Sequence, residues 1–329
     1  MRILFIGGNG TISAFASRLA VERGHDLTLL NRGTSSRRAP IDGAESLVGD
    51  AEDVDSVRAA IGSRDFDVVV NWRSFHPSQV ESDVALFEGR TGQYVYISSA
   101  SAYAKPVAAL PITESTALRN PFWEYSRNKI ASEDVLVRAF RDRGFPVTIV
   151  RPSHTYDEQA VPLPGGWTMI DRARRGKPVV VHGDGTSLWT MTHSRDFAPA
   201  FVGLLGQPAA IGEAVQITSD EAMPWNQIHA SLAAAAGVEP EYVHIASASL
   251  VAAIPEWSGP LLGDQAHSVI FDNTKVKRLV PGWAATTPFS AGAREIVAWH
   301  DANPASARVD DALDAKLDAL VERVRANAD

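Results

Sequence analysis

The sequence predicts an α/β chain, a doubly wound parallel sheet with a smaller C-terminal lobe. Three observations carry this. Short, wholly apolar runs recur through the first half of the chain. Segments long enough for helices separate most of them, and a glycine cluster follows the first run directly. A parallel strand covered by helices on both faces needs no polar side, and "VVV" at 68–70 has none.

The elements follow in order. Residues 3–6 read as the first strand and 14–22 as a helix ended by Gly24. Strands are expected at 27–30, 46–48, 68–70, 94–97 and 147–150, with helices at 54–61, 77–87 and 125–140. After Arg151 the rhythm breaks, and prolines and glycines cluster at 162–166. A helix at 169–175, strands at 179–182 and 215–218 and a helix at 225–236 are still expected. In the tail, Val309, Leu313, Leu317, Leu320 and Val324 form one helical stripe, which reads as a helix docked on the chain's own core.

The 329 residues are many for a single core and suggest a large domain with a smaller second lobe. Hydrophobic residues make up 45% and charged residues 21%, the balance of a soluble globular protein. There is no cysteine, which excludes disulfides and thiolate chemistry. The opening "MRILFIGG" is too short in apolar residues for a signal peptide, and no apolar run approaches a membrane span. A soluble, cytoplasmic protein is expected. The net charge of −8 and the lack of a long basic block disfavour a nucleic-acid partner.

"FIGGNGTIS" follows the first strand and opens the first helix. Gly7 and Gly10 are expected to turn the backbone close to a ligand, and the helix N-terminus offers free N–H groups to a pyrophosphate. Ser13 stands at the third glycine position of the dinucleotide fingerprint and is small enough for helix to approach strand. The second strand ends "LLNRGTSSRR". Asn31 would not repel a 2′-phosphate, and Arg32, with Arg37 and Arg38 nearby, can bind one, so NADP is favoured and NAD is the alternative. The competing reading is a solvated basic loop. Asp50, after the third strand, is placed to meet an adenine amino group.

"WEYSRNKIASE" puts Tyr125 and Lys129 one helical turn apart. The fifth strand runs into "SSASAY", which sets Ser98 and Ser99 at its carboxyl end, the edge where ligands bind in doubly wound sheets. Glycine turn, serine edge and Tyr/Lys helix in this order resemble the short-chain dehydrogenase/reductase superfamily. Length and glycine spacing resemble its extended branch, the NAD-dependent epimerase/dehydratase family. The resemblance implies a Rossmann fold over residues 1–155, with segments near 183–220 returning to it. Residues 156–329 would then be mainly a substrate-binding lobe and the C-terminal helix. It also implies that Tyr125 is the acid/base, Lys129 its activator and ribose ligand, and Ser99 a donor to the substrate oxygen. Thr11, Ile12 and Pro152 join the cofactor site by the same likeness, and Ser101 the substrate side. A free tyrosine titrates near pH 10, so work at neutral pH needs a shift of roughly 3 units, about 4 kcal/mol. A nearby ammonium and the oxidised nicotinamide charge are expected to supply it.

The sequence departs from the sugar-nucleotide members. Ala100 and Ser101 stand where the dehydratases have Asp-Glu. Trp189 and Leu261 stand where two phosphate-binding arginines are expected. "NRG", "ITSDEAMPWNQI" and "IFDNTKVKRLVPGW" resemble instead a subgroup that includes chloroplast stem-loop RNA-binding proteins and their bacterial relatives. An oxidoreductase or epimerase acting on a small molecule is the expected function. A sugar-nucleotide epimerase, or a non-catalytic nucleotide-sensing or RNA-binding protein, is the alternative. His154 reads as a substrate ligand or as a satisfied strand-end histidine. Trp167 and Trp189 read as pocket walls or as core. His182 and His193 lack metal-like spacing, so no metal is expected, and a homodimer is compatible with the sequence.

Overall fold

The structure, a computed structural model, describes residues 1–33 and 38–326. The first half contains strands β1 (Arg2–Ile6), β2 (Asp26–Asn31), β3 (Glu45–Val48), β4 (Phe66–Asn71), β5 (Thr91–Ile97) and β6 (Val147–Pro152). Between them lie helices α1 (Ser13–Glu22), α2 (Val54–Ile61), α3 (Pro77–Phe87) and α4 (Glu124–Arg143). The chain then forms β7 (His154–Tyr156), α5 (Trp167–Arg174), β8 (Val179–His182), β9 (Leu188–Trp189), β10 (Met191–His193), α6 (Ser194–Leu204) and β11 (Ala214–Ile217). It ends through β12 (Met223–Pro224), α7 (Trp225–Ala235), β13 (Tyr242–Ile245), α8 (Ser247–Ala253) and a short α9 (Ser258–Pro260) that runs into a π turn at Leu261–Gln265. Helices α10 (Thr274–Leu279), α11 (Phe289–Ala302) and α12 (Asp311–Ala326) complete it.

Seven strands form one parallel sheet in the order β11-β6-β5-β4-β1-β2-β3. Alternate side chains feed two cores, as the period of two requires. Ile3, Phe5, Val68 and Val70 pack with Ala16 of α1 and Phe197 and Phe201 of α6. Leu4, Ile6 and Val69 pack on the other face with Val57 of α2, Val84 of α3 and Leu136 of α4. The strand order reverses beside β1, which opens a crevice at the carboxyl ends of β1 and β4.

A third core belongs to the lobe and gathers Trp167, Trp189, Trp225, Ile296 and Leu317, among others. Helices α6 and α11 were not legible in the sequence, because Pro199 and Gly292 inside them read as breakers. The tail helix is present and docks as expected. Leu313, Leu317, Leu320 and Val321 are buried, with Val309 and Val324 packed at the margin. Arg172, wholly buried in α5, is paired with Asp314 and lies 2.8 Å from Asp318. Lys177 lies 2.8 Å from Asp314 and 2.6 Å from Asp318.

Burial pushes the Asp314 carboxyl up, but bonds from Lys177, Arg172 and Arg175 outweigh it and hold the group at about 2. A depressed folded value stabilises the protein above the unfolded value near 4, and that stability is lost as pH falls toward 2. Urea unfolding between pH 4 and pH 2 should therefore show a shallower loss of stability in Asp314→Asn than in the wild type. Identical slopes would show that docking of α12 does not depend on this carboxylate.

Candidate functional site at the carboxyl edge of the sheet

The glycine turn lies between β1 and α1. Gly7 and Gly8 adopt φ of +96° and +107°, values that side chains disfavour. A Cβ on Gly8 would also lie 2.7 Å from Leu29 Cδ2. The turn therefore rests on Gly7 and Gly8, which corrects the expectation for Gly10. Gly10 has no positive φ; it is exposed, and its N–H donates to Ser13 Oγ at 2.8 Å. Ile12, at the N-cap of α1, supplies no side-chain cap. The N–H groups of Thr11 and Ile12, which lead into α1, thus suit an anionic ligand, and the turn fits a dinucleotide diphosphate.

Asn31 is half-buried at the end of β2 and Arg32 is exposed beside it. Asp50 is half-buried and accepts from the Glu52 N–H at 3.0 Å. Arg37 lies outside the described residues. Arg38 is no part of a solvated loop: its guanidinium is buried against Asp157 at 2.5 Å.

Ser99 follows β5, and Tyr125 and Lys129 project from the first turns of α4. Ser99 Oγ lies 2.9 Å from Ser101 Oγ, and its hydroxyl favours the ionised form of the nearby Tyr125 phenol. Lys129 is buried, with Nζ 5.7 Å from the Tyr125 ring centre and 4.8 Å from those of Phe75 and Tyr96. Its ammonium donates to the Ser74 and Ile97 carbonyls, both at 2.8 Å, so one of three donors is left over. Burial lowers Lys129 to about 7, against the opposing charge of Glu133. Burial raises Tyr125 to about 12, opposed by Ser99 and assisted by the Asp264 charge. The expected downward shift is therefore not a property of the protein alone. Lys129 Nζ faces two carbonyls, and desolvation outweighs the remaining contribution at the phenol.

Two buried networks hold these groups. Glu133, one turn beyond Lys129, receives Ser98 Oγ at 2.5 Å and Arg151 Nε and Nη2 at 3.0 and 2.5 Å. Asp83 of α3 receives Asn71 Nδ2, Ser74 Oγ and Tyr94 OH at 2.7, 2.7 and 2.6 Å, and burial raises it to about 6 despite these donors. That network fixes the loop whose Ser74 carbonyl receives Lys129. Neither network has a sequence signature, since its members come from separate strands and helices.

The substrate-side expectations meet a different geometry. Ser101 is buried, and its hydroxyl is shared between Ser99 and Ser126, at 2.9 and 2.8 Å. Trp189 is only 2% exposed and packs on Trp225 in the lobe core. Its Nε1 donates to His154 Nδ1 at 3.4 Å, and burial pushes His154 down to about 4, so the imidazole is neutral. Trp167 stacks on His300. Pro152, at the end of β6, is buried in the sheet beside Ile217. A pair that the sequence did not suggest also bears on Tyr125, through the Asp264 charge. Lys105, wholly buried, has Nζ 3.3 Å from Asp264 Oδ1. Asn120 Nδ2 ties this wall to the serine turn by donating to the Ser101 and Gly263 carbonyls, at 2.9 and 2.7 Å. An open groove of about 560 Å³, lined by Phe75, Trp123, Tyr125, Asn128, Gly259 and Pro260, runs along the start of α4.

Parallel sheet, glycine turn and serine edge together define a dinucleotide-binding fold of the extended short-chain dehydrogenase/reductase type. The sequence matches the NAD dependent epimerase/dehydratase family over residues 3–218, and the chain belongs to that family. It is 29% identical over 256 residues to the chloroplast stem-loop binding protein of 41 kDa b of Arabidopsis thaliana, covering 74% of this chain and 65% of that protein. It is 25% identical over 234 residues to 2'-dehydrokanamycin reductase of Streptomyces kanamyceticus, covering 70% of this chain and 65% of the reductase. The fold superposes on an epimerase from Methanothermobacter thermautotrophicus with a TM-score of 0.76 at 16% identity, covering 93% of this chain and 94% of the other. Among the described residues no helix is long and apolar enough to cross a membrane.

Glu133→Ala would leave Arg151 charged, buried and unpaired. Such a break costs about 3–5 kcal/mol, measured here as a lower urea midpoint. Adding Arg151→Met should recover much of the loss; no recovery in the double variant would show that the two residues act independently.

Proposed function

We propose that the protein is an NAD(P)-dependent oxidoreductase that transfers a hydride and a proton at a hydroxyl or carbonyl carbon of a small molecule. The observation that supports this best is the convergence of Ser99, Tyr125 and Lys129 on one edge of the sheet, beside a glycine turn suited to a diphosphate. The nicotinamide would supply or accept the hydride. Gly7, Gly10, Thr11 and Ile12 would hold the diphosphate, while Asn31, Arg32 and Asp50 would meet the adenosine half. The free donor of Lys129 would reach a ribose hydroxyl. Ser99 and Tyr125 would donate to the substrate oxygen. At neutral pH a phenol near 12 is protonated, which suits an acid, so we read the site in the reductive direction.

Nucleotide sugars fit this site poorly. Trp189 and Leu261, which stand where phosphate-binding arginines are expected, are both buried in the lobe core. The sugar-nucleotide epimerase reading is therefore the weaker one. The likeness to a stem-loop binding protein favours RNA binding as a second reading, which the net charge of −8 opposes.

Screening carbonyl compounds against NADPH oxidation provides a substrate. Tyr125→Phe should then lose turnover by about 10²–10⁴-fold while folding and cofactor affinity survive. Wild-type turnover in that variant would remove Tyr125 from the chemistry. Failure to find a substrate, together with sub-micromolar binding of a stem-loop RNA, would favour the RNA-binding reading.

Calorimetric titration should give tighter binding of NADPH than of NADH, and Arg32→Ala should weaken NADPH selectively. Equal affinities in the wild type would rule out a 2′-phosphate site at Arg32.

A further inference from the structure

The Arg38–Asp157 pair is not accounted for by the fold or by the proposed chemistry. Arg38 lies past the end of β2 and Asp157 one residue past β7. Their side chains are 8% and 0% exposed, with Nη2 and Oδ2 2.5 Å apart. A buried ion pair is weak evidence of stabilisation, because desolvating two charges offsets their attraction. This pair is also incompletely satisfied. Arg38 Nη1 and Asp157 Oδ2 are both buried without a hydrogen-bond partner among the described residues, so the contact is a charge pair and not an aligned hydrogen bond. Asp157 Oδ1 accepts from the Gln159 N–H at 3.0 Å.

Its position is informative. Arg38 Nη2 reaches the Thr11 hydroxyl at 3.4 Å, and Asn9 Nδ2 donates to the Ala39 carbonyl at 3.5 Å. Residues 38 and 39 therefore lie over the glycine turn, beside the N-terminus of α1. That is where a dinucleotide diphosphate docks. The guanidinium has five donors in a fixed fork, a shape that matches phosphate oxygens. Asp157 holds it at the turn and leaves one end of the fork unfilled.

We propose that Arg38 is a clamp on the cofactor diphosphate, exchanging its contact with Asp157 for phosphate oxygens. It would serve NAD and NADP alike, because it acts on the group they share and not on the 2′-phosphate. The proposal rests on the cofactor reading above and extends it to a residue on which that reading does not depend. The competing role is simple neutralisation: Arg38 would cancel the Asp157 charge and never touch the cofactor.

Calorimetric titration with NADH and NADPH separates these roles without a catalytic assay. Arg38→Ala should weaken both cofactors by a similar factor, roughly 10–100-fold, the worth of one or two charge-assisted hydrogen bonds. Asp157→Asn should bind both at least as tightly as wild type, because it removes a negative charge beside the diphosphate and frees the guanidinium. The double variant carries neither charge, so it tests the clamp even if Arg38→Ala alone fails to fold, with thermal melting as the control. It should remain roughly 10-fold or more weaker than Asp157→Asn. A double variant that binds like Asp157→Asn would establish neutralisation and overturn the clamp. Loss confined to NADPH would assign Arg38 to the 2′-phosphate and overturn it too. Arg38→Ala binding like wild type would sink the clamp and leave the cofactor reading intact. A wild-type protein that bound neither dinucleotide would sink both.

Discussion

The buried ion pair between Glu133 and Arg151 is the constraint on which the candidate site depends. Glu133 belongs to α4, Arg151 to β6, and Ser98, which also bonds Glu133, directly follows β5. One carboxylate thus ties the helix that carries Tyr125 and Lys129 to the two strand ends beneath it. Arg151 also donates to Tyr103 OH at 3.3 Å and to the Glu114 carbonyl at 3.1 Å, which secures the turn after Ser99. A long helix lying on a sheet can slide by small amounts at little apolar cost. A bidentate pair in a dry interface cannot, because its energy depends on angle and distance together.

Parallel topology makes this arrangement useful. Every strand of the sheet points the same way, so the chain leaves β1, β2, β4, β5 and β6 on one edge. The glycine turn, the Asn31–Arg32 corner, the Ser74 carbonyl, the serine turn and Pro152 all lie along it. The crevice beside β1 provides the space. A wall beside it pairs Lys105, from the segment between β5 and α4, with Asp264 of the π turn, and Asn120 ties this wall to the serine turn.

Burial sets the electrostatics of the site. It lowers Lys129 and raises Tyr125 by the same mechanism, since a dry surrounding penalises the charged form of each. At neutral pH the protein alone therefore keeps the phenol protonated and leaves the ammonium close to losing its proton. A cationic ring or an anionic diphosphate entering this edge would alter both balances. Cofactor binding and proton transfer would then be electrostatically linked in a site of this kind.

The sequence by itself determined the strands of the sheet, helices α1 to α4 and the local motifs, because these depend on short-range patterns. Apolar runs with period two or with no polar side mark buried strands, as at 68–70, and glycines after β1 mark the turn. Tyr125 and Lys129 were legible because one helical turn separates them, and the stripe on α12 because its period is helical. The networks were not legible. Glu133 with Arg151, Asp83 with Tyr94, Lys105 with Asp264 and Arg38 with Asp157 join residues whose separation along the chain carries no period. The exchange of Gly10 for Gly8 as a turn residue, the bonding of the Ser101 hydroxyl to Ser126 and the burial of Trp189 against Trp225 were likewise decided by neighbours distant in sequence. Local geometry follows from adjacent residues, whereas the partner of a buried charge and the resulting pKa depend on which distant segments the folded core brings within a few ångströms.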